Sequence, residues 1–475
     1  MKKIAKLSLV AAVAVAGLTT ANAQQLEDAI KKVEVSGSVV YRYNDYNADI
    51  SDTTVKTTGT GGASNGSAGT ASSSNNNYKV GVNVAAPVND FVKLNTRFLV
   101  ANNAGEFAGK DGTIGGLDTQ SGGDSNVDVE LSNVYFGFTG IKNTTINAGK
   151  QGLTTPWTVA TQVDGNEQTG TGILALSTIE NVTLAGAYFN QTNLGASGNL
   201  GDTSINGNQD IGAQDLATVG TIVAAGPVTL DAWYVDMQET FNSYTLGAKA
   251  STELAGITFG ADARYTSLQL DRNYAETAYM SKAGITSFDT LDKNNLSSNI
   301  HDDNSLAKLA LTAKAGILSG KAVYGKTGKD GGLTALDNDA STTLLGWSVN
   351  SNGKADADFY QLVAAVDILP ELNLSANYVT VDYTSDSSVT KSTDNNVTAW
   401  SKTSVNEEEI YAQLTYKMSK NLTTYVRYGV YSQDTAAHNG NRENSEHVDA
   451  NGNSIASTVD SIDDTRGRIQ VAYTF

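Results

Sequence analysis

Charged side chains on alternating segments are the residues with the most chemistry to offer in this sequence. Thiol chemistry, zinc ribbons and disulfide scaffolds are excluded, because the chain contains no Cys. Its three His (His301, His438, His447) fall in segments that read as polar loops. None stands beside a Ser–Asp cluster at a strand end, so each reads as a solvated loop residue. Gly59-Thr60-Gly61-Gly62 lacks a phosphate-binding Lys and reads as flexible linker. The polar faces of the alternating segments hold Arg42, Lys79, Lys93, Arg97, Arg264, Arg427 and Arg468, with Glu34, Asp128, Glu130, Asp231, Asp262 and Glu409. Lys93 and Arg97 lie four apart on one strand, on the same face. Across a water-filled lumen, basic groups opposite acidic ones create a transverse field. Such a field orders water and penalises apolar solutes, while small ions and zwitterions pass. Taken singly, each of these residues reads more readily as a lumen residue at no special height. Segment 153–171 carries Pro156 and Trp157, which could stiffen it, and Asp164 and Glu167, which give it negative charge. Folded into a lumen it is a constriction; left outside it is a loop with two solvated carboxylates.

The elements that would position these groups are strands. Apolar and polar residues alternate with period two in short runs rich in Tyr, Val, Thr and Gly. In 469–475, Ile469, Val471, Tyr473 and Phe475 share one face; Gln470, Ala472 and Thr474 share the other. The pattern predicts eighteen strands: 33–44, 78–86, 91–102, 127–139, 144–152, 172–179, 182–191, 214–225, 228–238, 243–254, 257–270, 305–317, 318–329, 358–368, 372–383, 407–418, 422–433 and 467–475. Apolar parity switches between Leu131 and Val134, which predicts a bulge or a misplaced end in that strand. The connection at 317–318 is too tight as drawn. Strands join in pairs through short connections, and three of the four Pro (Pro87, Pro227, Pro370) sit in them. Between pairs the connections are long, with one exception near 239–242.

Residues 1–23 are an export address. Lys2, Lys3 and Lys6 precede an apolar stretch from Leu7 to Leu18, and Ala21-Asn22-Ala23 is a small-x-small cleavage site. Cleavage would leave Gln24 as the first residue. The apolar stretch is too short to span a bilayer as a helix, and no later segment is a candidate membrane helix. Strands of about 9–11 residues, by contrast, do cross a bilayer when tilted. A sheet in lipid must close so that no edge is left unpaired. The fold class expected is therefore all-β: a transmembrane antiparallel barrel of about 18 strands, with short periplasmic turns and long external loops. Tyr41, Tyr188, Tyr265, Tyr324, Tyr360, Tyr378, Tyr416, Tyr428, Tyr473 and Phe475 recur near strand ends, as interfacial girdles require. A β-helix would show a short fixed repeat, and the sequence has none.

Two further stretches, and the end of the chain, carry a resemblance. Residues 26–37 (LEDAIKKVEVSG) resemble the mature start of the major outer membrane protein porins of Campylobacter and its relatives. Gly149-Lys150-Gln151, Thr155-Pro156-Trp157-Thr158, Asp164-Gly165 and Gly170-Thr171-Gly172 resemble that family's path into and out of the third external loop. Phe475, after alternating apolar residues, resembles the assembly signal that the barrel-assembly machinery of Gram-negative bacteria reads. Pro156 and the loop lengths depart from the family's pattern. The resemblance implies a trimeric, eighteen-stranded, cation-preferring porin with the third loop, 153–171, folded inward. It also raises a lumen Ca²⁺, held by carboxylates such as Asp128, Glu130 and Asp164, since Ca²⁺ takes several oxygen ligands. No EF-hand-like spacing is present, and no cofactor is required.

The net charge of −18 locates the last expectation. Nine external connections hold 31 acidic and 10 basic residues, whereas the remaining cleaved-chain segments hold 19 of each. The acidity belongs to the outer mouth, where it would gather cations and bridge through divalent ions to lipopolysaccharide. Nucleic acid, which needs a basic surface, is excluded as a partner. The function expected is a general-diffusion porin of a Gram-negative outer membrane, working as a homotrimer. The alternatives are a substrate-selective channel, or an adhesin using loops 45–77, 271–304, 330–357, 384–406 and 434–466.

Overall fold

The computed structural model describes residues 32–53, 69–100, 129–163, 167–197, 204–205, 209–275, 302–391, 397–438 and 459–475. Twenty strands run in chain order: β1 (Glu34–Thr53), β2 (Gly69–Pro87), β3 (Val92–Val100), β4 (Val129–Phe138), β5 (Thr144–Gly152), β6 (Thr169–Ile179), β7 (Val182–Thr192), β8 (Ser204–Ile205), β9 (Gln209–Asp210), β10 (Leu216–Ala225), β11 (Val228–Met237), β12 (Phe241–Leu254), β13 (Ile257–Leu270), β14 (Asp303–Ala315), β15 (Leu318–Thr327), β16 (Ala355–Leu369), β17 (Leu372–Lys391), β18 (Val397–Ser419), β19 (Leu422–His438) and β20 (Val459–Thr474). The two-residue β8 and β9 pair only with each other. The other eighteen form one sheet in which each strand pairs antiparallel with its neighbours in the chain, and β20 returns to β1. The sheet is a closed barrel with no free edge, the arrangement that lipid demands of a strand-built span.

Closure is completed at the last residue. Gly37 N–H donates to the Phe475 carbonyl at 2.9 Å, and Phe475 N–H donates back to the Gly37 carbonyl at 3.0 Å. The Phe475 ring stacks on Tyr473 at 6.0 Å. A Cβ on Gly37 would sit 2.3 Å from the Gly81 carbonyl oxygen and 2.7 Å from the Phe475 ring, so this position has no room for a side chain.

Side-chain parity separates two faces. Val39 and Tyr41 are exposed outward while Val40, Arg42 and Asn44 are buried inward. Of the ten predicted girdle aromatics, all but Tyr378 are among the exposed large side chains. Tyr378 is half-buried and donates to Glu408 at 2.9 Å.

Several strands outrun their predicted ends. β1 continues to Thr53, β2 starts at Gly69, and β17 and β18 extend to Lys391 and back from Val397. These extensions pair polar residues, such as Asn44 with Asn75 and Tyr46 with Ser73. Apolar alternation marks only the part of a strand that meets lipid; beyond it the ladder continues without that signal. The bulge in β4 is present: Arg97 pairs with Asn133 and Phe98 with Leu131, leaving Ser132 over. The tight connection between β14 and β15 is a two-residue turn at Gly316-Ile317, and Gly316 has φ 59°. That is a left-handed conformation which glycine adopts without steric cost.

Candidate functional site: two connections folded against the inner wall

The connection 153–168 folds on itself before it meets the wall. Leu153 N–H donates to the Gln168 carbonyl at 2.8 Å, and Thr158 Oγ1 donates to the Leu153 carbonyl at 2.6 Å. Trp157 is 1 % exposed and lies in one apolar cluster with Leu153, Phe189, Leu194, Ile211 and Leu336. Pro156 and Trp157 thus sit in a compact segment. Asp164 lies outside the described residues. Glu167 is buried on the inward face, where Arg97 grips it with two bonds, and Lys79 stands 3.7 Å away. Lys79 Nζ also donates to the Gln162 carbonyl at 2.8 Å.

A second connection, 328–354, crosses the first. Leu336 N–H donates to the Trp157 carbonyl (2.8 Å), and Gln168 Nε2 donates to the Leu336 carbonyl (2.7 Å). Gln162 Nε2 reaches Asp337 at 2.7 Å, and Ser341 Oγ reaches the Pro156 carbonyl at 3.0 Å. The far end of 328–354 is held by two other stretches of wall: β18, which is separated from β2 by three strands around the closed sheet, and β14. Glu409 of β18 accepts the backbone N–H groups of Trp347, Ser348 (2.9 Å) and Val349 (3.4 Å). Lys308 Nζ of β14 donates to the Thr343 carbonyl at 3.0 Å. Lys354 pairs with Glu407 at 2.7 Å, and burial holds the Lys354 ammonium below its ordinary pKa, only partly offset by Glu407. Together the two connections make a continuous bridge from β2 and β3 to β18 and β14.

This corrects the reading of 330–357 as an outer loop free to bind a surface. Its signal was present in the sequence. Leu333, Leu336, Leu344, Trp347 and Val349 are too apolar for a water-facing loop; Leu336, Leu344 and Val349 lie in buried clusters, and Leu333 and Trp347 pack against them.

The remaining wall residues separate into three places. Lys93 and Arg97 share a face but not a partner: Lys93 meets Glu34 at 3.4 Å where both are exposed. Glu130 lies in β4, and Asp128 is outside the described residues. On β11–β13, Arg264 pairs with Asp231 at 2.8 Å across Gly247, and Lys249 pairs with Asp262 at 3.2 Å. A Cβ on Gly247 would lie 2.2 Å from Asp231 Oδ1 and 2.4 Å from Arg264 Nη2, so the glycine makes room for the pair. These acids stand beside their bases rather than across the lumen from them. The third place is the wall of β19, β20 and β1, where Arg427, Arg468 and Arg42 gather. Arg42 donates to Gln470 (2.8 and 2.6 Å), Arg427 to Gln413 (2.8 Å) and Arg468 to Asn44 (2.7 Å). Of the three carboxylates expected to hold Ca²⁺ only Glu130 is described, and no metal-holding cluster of three His, Cys, Asp or Glu occurs among the described residues.

Comparison with known proteins bears on the fold and on the family. No curated protein matches the chain. Among solved structures, Pseudomonas aeruginosa OpdL is similar with a TM-score of 0.57 at 16% identity, covering 93% of this chain and 98% of that one. Pseudomonas aeruginosa OccK8 (OprE) has a TM-score of 0.58 at 14% identity, with 93% and 98% covered. Pseudomonas aeruginosa OpdK, solved with vanillate, has a TM-score of 0.56 at 13% identity, with 93% and 99% covered. At these identities the likeness shows the fold alone. The family model described as Campylobacter major outer membrane protein matches residues 1–452. The chain therefore belongs to the Campylobacter major outer membrane protein family and is an eighteen-stranded outer-membrane porin.

Proposed function

We propose that this porin lets small hydrophilic solutes and ions diffuse passively, with a preference for cations set at its outer mouth. The observation that carries the reading is the bridge of 153–168 and 328–354, anchored on charged wall residues at both ends. A barrel of this strand number encloses an aqueous channel unless something narrows it, and the bridge is the element that narrows it. Pro156, Trp157 and Glu167 then belong to the constriction. Arg42, Asp262, Arg264 and Arg427 line the path, and Arg97, sealed against Glu167, ties the bridge to that wall. The cation preference rests on the acidic external connections, whose field salt screens beyond about 8 Å at physiological strength. No bond is made or broken. Export by removal of residues 1–23, assembly as a homotrimer and recognition of Phe475 by the barrel-assembly machinery complete the proposal. A lumen Ca²⁺ is an optional part of it.

A channel selective for one solute is the second reading. The aromatic and guanidinium groups gathered around Trp347 favour it, and saturable flux for that solute would mark it. Reconstitution in planar bilayers tests both readings: the purified protein must give channel events in salt alone.

A further inference from the structure

Arg427 and Arg468 face each other directly across the β19–β20 ladder, both inward. Like charges in register opposition destabilise a sheet, so the wall bears a cost at this point. Arg42 extends the group to β1: it pairs in register with Gln470, two residues along from Arg468 on the same face. Arg427 is steered by the neutral amide of Gln413 and Arg42 by that of Gln470, while Arg468 donates to Asn44 and to the Tyr46 hydroxyl; Arg42 and Arg468 have further partners besides these. Arg427 gives only its Nε to the protein among the described residues, which leaves both Nη nitrogens as donors there. It is also half-buried rather than sealed.

Above this wall lies Trp347 of the bridge. Its ring is 5.0 Å from the Arg427 guanidinium and 5.4 Å from that of Arg468. Tyr411 meets Trp347 edge-on at 5.5 Å and lies 4.9 Å from Arg427, with Tyr425 at 5.3 Å. The Trp347 indole N–H is buried with no hydrogen-bond partner among the described residues. The Arg427 fork, with a second guanidinium facing it and flat aromatic walls beside it, matches a planar body ending in a carboxylate.

We infer that Arg427, Arg468 and Arg42, with Trp347, Tyr411 and Tyr425, form a binding subsite in the pore for small aromatic carboxylates. The inference deepens the channel reading and rests on it. The acidic mouth and this subsite act at different depths. The mouth biases which ions arrive, and the subsite retains one class of solute on its way through.

The test uses the full-length protein in planar bilayers. Channel events in symmetric KCl alone come first; their absence sinks the porin reading and not merely the subsite. Sodium benzoate is then added, with benzamide as the uncharged analogue of the same shape. The expected result is saturable interruption of current by benzoate and little by benzamide. Arg427→Gln should weaken the benzoate effect about tenfold, the loss of roughly one charge-assisted contact. Arg427→Lys, which keeps the charge but loses the fork, should weaken it too. A purely structural role for Arg427, holding Trp347 and the bridge, predicts altered conductance with unchanged benzoate sensitivity relative to benzamide. Equal effects of benzoate and benzamide on the wild type overturn the inference even if the variants fail to insert.

Discussion

Arg97 and Glu167 meet in a two-pronged ion pair, Nε on Oε2 at 2.7 Å and Nη2 on Oε1 at 2.6 Å. The two side chains are 7 % and 1 % exposed. One belongs to a barrel strand and the other to the connection that crosses the lumen, so the pair fastens the bridge to the wall. Removing one partner of a buried pair costs about 3–5 kcal/mol where it leaves a charge uncompensated. That is the case for Arg97 when Glu167 is removed, whereas Glu167 without Arg97 still has Lys79 at 3.7 Å and should lose less. Arg97→Gln and Glu167→Gln should each loosen the bridge, raising single-channel conductance and lowering the unfolding temperature. The double variant should be milder than the two single effects added together, because neither charge is then left alone. Strict additivity of the single effects would mean that the pair does not hold the bridge.

Glu409 anchors the other end by accepting three consecutive backbone N–H groups. Glu409→Ala should release residues 347–349 and give noisier, larger-conductance channels. Glu409→Gln retains an acceptor oxygen and should fall between the two. Current noise in reconstituted channels is the measurement, and indistinguishable traces for all three proteins would refute the anchoring role.

Lys354 supplies a pH dependence with a definite sign. Its folded pKa is lowered by burial from the ordinary 10.5. Between the lowered value and 10.5 the unfolded chain binds more protons, so this residue's contribution to stability rises with pH through that window. Lys354→Met should flatten that part of the profile. Urea-unfolding midpoints measured for both proteins across alkaline pH check this, and parallel profiles would exclude it.

Gly37 leaves room for the seam where the barrel closes. With the Gly81 carbonyl and the Phe475 ring already within 3 Å of where a Cβ would lie, Gly37→Val should block proper seating of the terminal strand. Deleting Phe475 should weaken the same seam by removing its reciprocal backbone pair. The folded fraction on refolding into detergent, read by heat-dependent gel migration, should drop for both. A wild-type yield from Gly37→Val would show that the seam can shift.

The barrel was legible in the sequence because lipid imposes a simple rule on its outer face. Every second residue from Ile410 to Met418 must be apolar, and the girdle Tyr must stand near strand ends. The β4 bulge showed itself for the same reason, as a break in that rule at Ser132. The lumen obeys no such rule. Arg97 and Lys93 have identical parity, yet one is sealed against Glu167 and the other lies exposed beside Glu34. Which partner an inward charge finds depends on the path of connections such as 328–354, and local alternation does not encode that path. What did encode it was the apolar content of the connection, Trp347 and Leu336 above all.

The most direct test of the account is the reversal potential of the reconstituted protein under a KCl gradient. The account predicts discrete channel events whose reversal potential is displaced toward that of K⁺, with the displacement shrinking as salt screens the acidic mouth. Displacement toward the Cl⁻ potential, or the absence of channel events altogether, would contradict it.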